Sequence, residues 1–308
     1  MKRCLAGFII CLAATAFAEN VSRLRDYSTQ TVSLTAGFIP DSTKVILGEP
    51  LFVTFVVRNR GQQPFLFSHV RNEIFTVTAT NTAGLPVKSL YFGFDGNGPV
   101  SEVTVPPGKA HAMRLFLNER CQFEQSGDYT VNCRCDFWHD PPDRHGLRQP
   151  IVTVFKLSVL PADPERVSEL IAAWGRSVLT NGSPWEAAQA LAEFNDIRTI
   201  PYLAGLVTNR SDVSYLAVSA LARYTNEMAS ADALATALQS RDDFVAEAAG
   251  RALRNSGQAD RAARALLPAL TNADVSVRTR NARAILPSRR HRLHFSLRRT
   301  SARASGFL

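Results

Sequence analysis

Hydrophobic and polar residues alternate with a period of two between about residue 30 and residue 160. Leu51, Val53, Phe55 and Val57 share one face of this pattern, and Thr54 falls on the other. Because successive side chains of a β-strand point to opposite faces, the alternation predicts a strand with one buried face. Similar runs occur at residues 75–80, 100–105, 111–117, 129–137 and 151–160. Turn-forming residues separate these runs, which predicts an antiparallel β-sandwich.

The period changes after residues 161–165, and alanine and leucine then recur at helical spacing. The apolar set that begins at Val213 returns 32 residues later from Val245 and again from Val277. Each copy holds two short apolar-striped segments that cannot bury their stripes alone. This periodicity predicts a stacked helical solenoid. Asp212, Asp242 or Asp243, and Asp274 stand where helix N-caps are expected.

The first half resembles the immunoglobulin-like domains of exported bacterial proteins over about 130 residues. Its motifs mostly encode turns: Gly48-Glu49-Pro50-Leu51 before a strand ending at Asn59, Pro106-Pro107-Gly108, and Ser126-Gly127-Asp128-Tyr129-Thr130-Val131. The resemblance implies a sandwich whose loop tips are available for recognition.

The second half resembles the HEAT-repeat family, particularly its short bacterial form. The motif is Asp274-x-x-Val277-Arg278 followed by Ala282-x-Ala284-Ile285. The family implies a stack of helix pairs whose second helices line one concave face. We expect about four pairs, the earliest formed by residues 167–179 and 185–194. Asn281 replaces a core alanine in the last copy, which is therefore either a polar cap or poorly packed.

The expected fold class is a multidomain β then α chain: an N-terminal immunoglobulin-like antiparallel β-sandwich and a C-terminal α-solenoid of HEAT-type helix pairs. The basic, apolar and small-residue pattern of residues 1–18 predicts a signal peptide, and hence a periplasmic or extracellular protein. We expect the sandwich to span residues 28–160, a linker 161–165 and the solenoid 166–286. We expect the basic tail, residues 287–308, to be disordered.

The formal net charge of +8 is unevenly placed. Two positive charges lie in the leader and six in the tail, so the remaining body is close to neutral. We therefore expect no nucleic-acid partner for the folded body. No stretch after residue 18 reaches about 18 consecutive apolar residues, so we also expect no integral membrane segment. The tail is open to three interpretations: contact with anionic lipid or nucleic acid, plain disorder, or a reading-frame slip that replaced the continuation of the repeats.

Three cysteines remain after the predicted leader, namely Cys121, Cys133 and Cys135. In an oxidising compartment we expect one disulfide and one spare thiol, with Cys121 pairing with either of the other two. Neither a C-x-x-C pair nor a fourth ligand at matching spacing is present, which disfavours a zinc or redox site.

Residues 138–145 form the densest group of potential metal ligands. Trp138, His139 and His145 belong to it, together with two aspartates and two prolines. The segment is predicted to be the tip of the hairpin between the last two strands. It is interpreted as a plain loop, a partner-contacting loop or, least favoured, a divalent-metal site.

Arginines accumulate at two repeat positions predicted to face outward on the second helices. Arg251 and Arg283 share one position with Ser219, while Arg278 shares the other with Ser214 and Ala246. Arg251, Arg278 and Arg283 are therefore candidate contacts for an acidic partner surface, although arginine is also common on solvated helices.

No catalytic motif is found, and no cofactor is implied. The leading hypothesis is a non-enzymatic, exported protein-binding or scaffold module. The first alternative is a carbohydrate- or cell-wall-binding accessory module, with Tyr91, Phe92, Phe94 and Trp138 as candidate aromatics. A lyase built on a HEAT-like array is a weaker alternative, since no acid/base pair supports it.

Overall fold

The protein is described here from a computed structural model, which divides the chain into two compact units between Pro164 and Glu165. The structure describes residues 24–26, 33–70, 75–89, 100–139, 148–179, 184–209, 213–255, 264 and 279. The predicted leader and tail, and nearly all of the third 32-residue copy, lie outside these residues.

The first unit is built from β-strands. Its strands are β1 Arg25–Asp26, β2 Leu34–Pro40, β3 Lys44–Ile46, β4 Phe52–Asn59, β5 Phe65–Val70, β6 Phe75–Asn81, β7 Lys88–Ser89, β8 Val100–Val105, β9 Ala110–Phe116, β10 Cys121–Gln122, β11 Gly127–His139 and β12 Arg148–Leu160. The six runs taken from the alternating pattern are confirmed as strands β4, β6, β8, β9, β11 and β12.

Two larger sheets enclose one hydrophobic core. The first has the order β1-β2-β4-β9, and the second has the order β3-β12-β11-β5-β8, with β6 also paired to β11. Strand β11 is long enough to pair with β6 from Tyr129 to Cys135 and with β5 at its end. Strands β7 and β10 form a separate two-stranded sheet.

Three phenylalanines form the centre of this core. The ring centroids of Phe38 and Phe55 lie 5.0 Å apart, and Phe75 lies 6.0 Å from the first and 5.2 Å from the second. Such tilted and edge-to-face pairs add to the free energy of apolar burial. Leu51 and Val57 are buried beside them, on the predicted inner face of β4. Phe52, Thr54 and Val56 on the opposite face are buried as well, so the predicted single buried face is wrong for this strand.

The second unit is helical in its described residues. Its helices are α1 Pro164–Leu179, α2 Pro184–Glu193, α3 Ile200–Asn209, α4 Ser214–Leu221, α5 Met228–Ala237 and α6 Asp243–Asn255. Two 3-10 turns, Ile197–Thr199 and Ala222–Tyr224, lie before α3 and after α4. Asp242 accepts a hydrogen bond from the backbone N–H of Phe244 at 2.8 Å, which confirms the expected N-cap of α6.

The predicted α-solenoid of HEAT-type helix pairs is wrong. The described helices range from 8 to 16 residues and are interrupted by 3-10 turns, so they do not form equal repeating units. Their buried residues instead gather in one hydrophobic cluster that includes residues of all six helices. A repeat of apolar positions specifies which face of each helix is buried, but a solenoid also requires equal units stacked in one direction.

The prediction of a wholly antiparallel sandwich is also wrong. Strand β3 pairs with β12 in parallel, with Val45 opposite Val159, so the second sheet is mixed. Alternation of polar and apolar residues reports only the faces of a strand. It carries no information on the direction of the neighbouring strand.

Candidate functional site

Helices α2, α4 and α6 lie next to one another within the helical unit. Helix α4 packs against both of the others, and α6 also contacts the 3-10 turn that follows α4. Arg223 of that turn donates from Nη2 to the carbonyl oxygen of Ala192 near the end of α2. The carboxyl ends of α2 and α4 are therefore adjacent.

Each of these helices carries an exposed aromatic residue in its first turn. Trp185 is 44 % exposed, Tyr215 is 52 % exposed and Phe244 is 76 % exposed. Neighbouring apolar residues of the same helices, such as Ala188 and Ala217, are fully buried. The three aromatic side chains therefore lie outside the core, and we call the exposed sides of the adjacent helices that carry them the aromatic face of α2, α4 and α6.

The positions of these aromatics follow from helical geometry. Ala187 of α2 and Ala217 of α4 are both buried, and the residue two positions earlier is Trp185 in α2 and Tyr215 in α4. Two residues turn a helix by about 200°, so the two rings point away from the core. Phe244 precedes Glu247 and Arg251 at i+3 and i+7, so these three share one face of α6.

Arginines lie further along the same helices. Arg251 forms an exposed ion pair with Glu247, with Nη2 and Oε1 3.2 Å apart. The pKa of Arg254, one turn after Arg251, is lowered mainly by burial and to a smaller extent by the positive charge of Arg251. The negative charge of Glu247 acts in the opposite direction. Arg223 donates from Nε to the carbonyl oxygen of Ala220 at 3.4 Å and so helps cap α4.

The predicted arginine strip is described only in part. Arg251 is exposed, as expected, while Arg278 and Arg283 lie outside the described residues. The second repeat position does not face outward in the described copies, because Ser214 and Ala246 are both buried.

The predicted loop of residues 138–145 is likewise only partly described. The backbones of Trp138 and His139 end strand β11, opposite Ser68 and Phe67 of β5. His145 lies outside the described residues. In the described part of the chain, no group of three or more histidine, cysteine, aspartate or glutamate side chains is placed to hold a metal ion.

Cys121, Cys133 and Cys135 are buried free thiols in the structure, so the disulfide expected from the sequence is not formed there. Burial raises the pKa of Cys121 to about 11, against a smaller opposing effect of Arg120. The pKa of Cys133 is raised to about 12, mainly by burial and to a smaller extent by the neighbouring Cys121. Burial, followed by the charge of Asp136, also raises the pKa of Cys135. Thiols held in the protonated form are poor nucleophiles.

Cys121 belongs to a row of donors along the edge of β6 that does not face β11. The carbonyl oxygens of Phe75, Val77 and Ala79 each accept one bond there. Their donors are Nη1 of Arg120 at 3.1 Å, Sγ of Cys121 at 3.9 Å and the backbone N–H of Val87 at 2.8 Å, in that order. We call this row the capped edge of β6, and its polar contacts are structural.

Sequence reasoning did not identify the aromatic face. The signal was present, because Trp185 and Tyr215 interrupt alanine-rich helices at positions outside the apolar stripe. A helical projection combined with the known burial of alanine would have placed both rings in solvent. The side-chain donors of the capped edge of β6 left no local signal, since Arg120 and Cys121 are distant from β6 in sequence.

Within the described residues, no helix is both long and apolar enough to cross a membrane.

No protein-family model matches the sequence, and no curated protein is significantly similar to it. Solved structures with partial likeness include the CARDB domain of the PF1109 protein from Pyrococcus furiosus, with 14 % identity, a TM-score of 0.26, and coverage of 44 % of this chain and 99 % of that one. Red sea bream transglutaminase has 20 % identity and a TM-score of 0.26, with 44 % of this chain and 17 % of that chain covered.

A β-glucosidase from Listeria innocua gives a similar result, with 15 % identity, a TM-score of 0.26, and coverage of 44 % of this chain and 17 % of that one. The aligned region thus corresponds to about a sixth of the two enzymes. At these identities and TM-scores the three likenesses assign neither a family nor an activity to this chain.

Proposed function

We propose that the protein is a binding module that takes up a protein segment on the aromatic face of α2, α4 and α6. The observation that carries the proposal is the exposure of Trp185, Tyr215 and Phe244 on three adjacent helices. Aromatic side chains are enriched at protein–protein interfaces, where they supply large contact areas at low entropic cost.

The setting of these aromatics supports binding over a role in folding. Leu203, Leu206 and Leu221 of the same unit are fully buried, so the core is filled without the three exposed rings. Exposed apolar residues scattered singly are ordinary, but rings grouped on one face are typical of interaction sites.

A defined peptide selection tests the proposal. A random peptide library is displayed on phage and selected on the full chain, and the enriched peptides are titrated by fluorescence polarisation. We expect the triple variant W185A/Y215A/F244A to bind these peptides at least about tenfold more weakly than the original chain.

The matched control is the double variant L85A/V154A, which removes two exposed apolar side chains from the β-unit. We expect it to bind with unchanged affinity. Equal binding by the triple variant, or failure to enrich any peptide, would contradict the proposal. Specific glycan binding on an array that is lost in the triple variant would contradict it as well.

A further inference from the structure

We propose that Thr35 and Arg58 form an anion-binding site on the first sheet, which takes one carboxylate or phosphate group. This inference goes beyond the proposed function, because it places a second site on the β-unit. It is carried by two buried polar atoms that have no hydrogen-bond partner, Oγ1 of Thr35 and Nε of Arg58.

The register of the first sheet brings these two side chains together. Thr35 of β2 and Arg58 of β4 are direct cross-strand partners. Leu34, Ala36 and Val57 belong to the sandwich core, so Thr35 and Arg58 both point to the opposite face of the sheet. The Cβ atoms of direct partners lie about 4.5–5.5 Å apart. One small oxyanion can therefore accept hydrogen bonds from both side chains.

Neither donor is satisfied in the structure. Thr35 is 4 % exposed, and its hydroxyl has no hydrogen-bond partner. Within the described residues, the guanidinium of Arg58 forms neither an ion pair nor a hydrogen bond. A buried polar group without a partner costs free energy, and the cost is larger when the group is charged. Binding of an anion would recover both missing bonds.

Arg114 shows which group completes an arginine on this face of the sheet. It lies on β9 opposite Thr54, nearer the other end of β4. Its Nη1 and Nη2 donate to the two carboxylate oxygens of Asp41 at 3.2 and 2.6 Å. A carboxylate or phosphate of a ligand would complete Arg58 in the same way, because both groups match the fork of guanidinium donors.

Two further cations lie next to Arg58. The backbone N–H of Arg60 donates to the carbonyl oxygen of Ser33 at 2.8 Å, which holds Arg60 beside the start of β2. The N–H of the residue between the two arginines donates to the carbonyl oxygen of Lys109 at 2.9 Å. The side chains of Arg60 and Lys109 are exposed, and both add positive charge at this end of the sheet.

Asp26 is the carboxylate described at this end of the first sheet, and it does not neutralise the site. It lies opposite Thr35 on the side away from Arg58, so two strand spacings, about 9–10 Å, separate its backbone from β4. The neighbouring Arg25 offsets its charge, and residues 27–32 carry no charged side chain. The surroundings of Arg58 are therefore net positive, which favours an anion over a neutral ligand.

A ligand reaches the site through the side chain of Arg58. This side chain is half-buried, and Asp26 and Ala110 on either side of the pair are exposed. Because no described partner fixes the guanidinium, it is free to turn and close over an anion. Nε and one Nη nitrogen then present two parallel donors to the ligand, and Oγ1 of Thr35 adds a third.

Anion titrations of the full chain test the site. Sodium phosphate and sodium acetate are each exchanged for chloride at neutral pH and constant ionic strength. Proton–nitrogen spectra follow the Nε–H group of Arg58, which is assigned by its loss in Arg58→Lys. The rise in melting temperature with each anion gives a second measure of binding.

The variants separate the two donors from general charge. Thr35→Val removes the hydroxyl, and Thr35→Ser keeps it. Thr78→Val is the matched control, because Thr78 is exposed on β6. Arg58→Gln removes the guanidinium, and Arg241→Gln makes the same change in charge at an exposed position of the helical unit.

We expect a saturable shift of the Arg58 Nε–H signal with at least one of the two anions, and the stronger anion identifies the preferred group. The affinity should fall at least about tenfold in Thr35→Val, while Thr35→Ser and both controls keep it within about twofold. Arg58→Gln should abolish the anion-dependent rise in melting temperature. In chloride alone, Thr35→Val should melt at a higher temperature than the original chain, because it removes a buried hydroxyl without a partner.

Three results would overturn the site. They are the absence of a saturable shift with both anions, equal affinity in Thr35→Val and Thr78→Val, and a lower melting temperature of Thr35→Val in chloride. The last result would mean that the hydroxyl already has a partner. None of them bears on the aromatic face, which is measured separately by peptide binding to W185A/Y215A/F244A.

Discussion

The side-chain amide of Asn59 joins the first sheet to the second: its Nδ2 donates to the carbonyl oxygen of Val105 in β8 at 2.9 Å. The same nitrogen donates to the carbonyl oxygen of Gln63 at 2.7 Å, and Oδ1 accepts from the N–H of Gly61 at 2.9 Å. Asn59 is only 2 % exposed, so these bonds replace contacts with water. A buried polar group stabilises a fold only when it is satisfied in this way.

We expect the substitution Asn59→Asp to lower the free energy of unfolding by about 2–4 kcal/mol. A carboxylate has the same shape but cannot donate, and it would face two carbonyl oxygens. Urea unfolding of the two proteins at neutral pH measures the difference. Asn132→Asp is the matched control, since Asn132 is exposed on β11, and a similar loss there would contradict the role of the amide.

Two helical glycines are expected to respond in opposite directions to alanine. A Cβ built at Gly175 of α1 overlaps the ring of Tyr202, whereas a Cβ at Gly205 of α3 meets nothing within 4 Å. We expect Gly175→Ala to destabilise the fold by about 1–3 kcal/mol through overpacking. Gly205→Ala should stabilise it by up to about 1 kcal/mol, because alanine is the better helix former.

Thermal unfolding followed by circular dichroism at 222 nm compares these two variants. If both raise the melting temperature, Tyr202 does not pack against Gly175 as described. If Gly175→Ala lowers it, the double variant Gly175→Ala with Tyr202→Ala tests the cause, since removal of the ring should relieve the steric part of the loss.

The buried thiols predict a loss of stability at alkaline pH. Their ordinary pKa is 9.0, and burial raises it to about 11 for Cys121 and about 12 for Cys133. Because the folded-state pKa values are raised, the thiols contribute fully to the free energy of unfolding below pH 9.0. It then decreases as pH rises towards the folded-state values, because the unfolded thiols lose protons first.

Between the unfolded-state and folded-state pKa values, the free energy of unfolding falls by up to about 1.4 kcal/mol per pH unit for each thiol. Urea unfolding between pH 8 and pH 11 measures it, and the variant C121A/C133A should show a shallower slope. An unchanged slope in that variant would assign the alkaline loss to other groups.

Counting thiols distinguishes the structure from the disulfide expected from the sequence. In a chain lacking residues 1–18, which carry Cys4 and Cys11, we expect no reaction with a thiol reagent in the native state. Three thiols should react after unfolding without reductant, because the structure has Cys121, Cys133 and Cys135 free and buried. A count of one would establish a disulfide.

The sequence was sufficient for the elements whose pattern is local. The alternation of Val53, Phe55 and Val57 predicts strand β4, and an aspartate before an apolar stripe predicts the start of α6. The burial of the opposite face of β4 does not follow from the alternation. The parallel pairing of β3 with β12 and the gathering of the helices around one cluster depend on contacts between distant segments. The aromatic face does not follow from the sequence pattern, because the exposure of Trp185 and Tyr215 depends on which neighbouring helices leave their sides uncovered.

The capped edge of β6 has a consequence for how the protein behaves at high concentration. A strand edge with free carbonyl groups can template the addition of another chain, which is a common route to aggregation. Here an incoming strand would first have to displace the guanidinium of Arg120 and the thiol of Cys121 from Phe75 and Val77. Lateral growth of this sheet at β6 is therefore opposed by two side chains that lie far from β6 in the sequence.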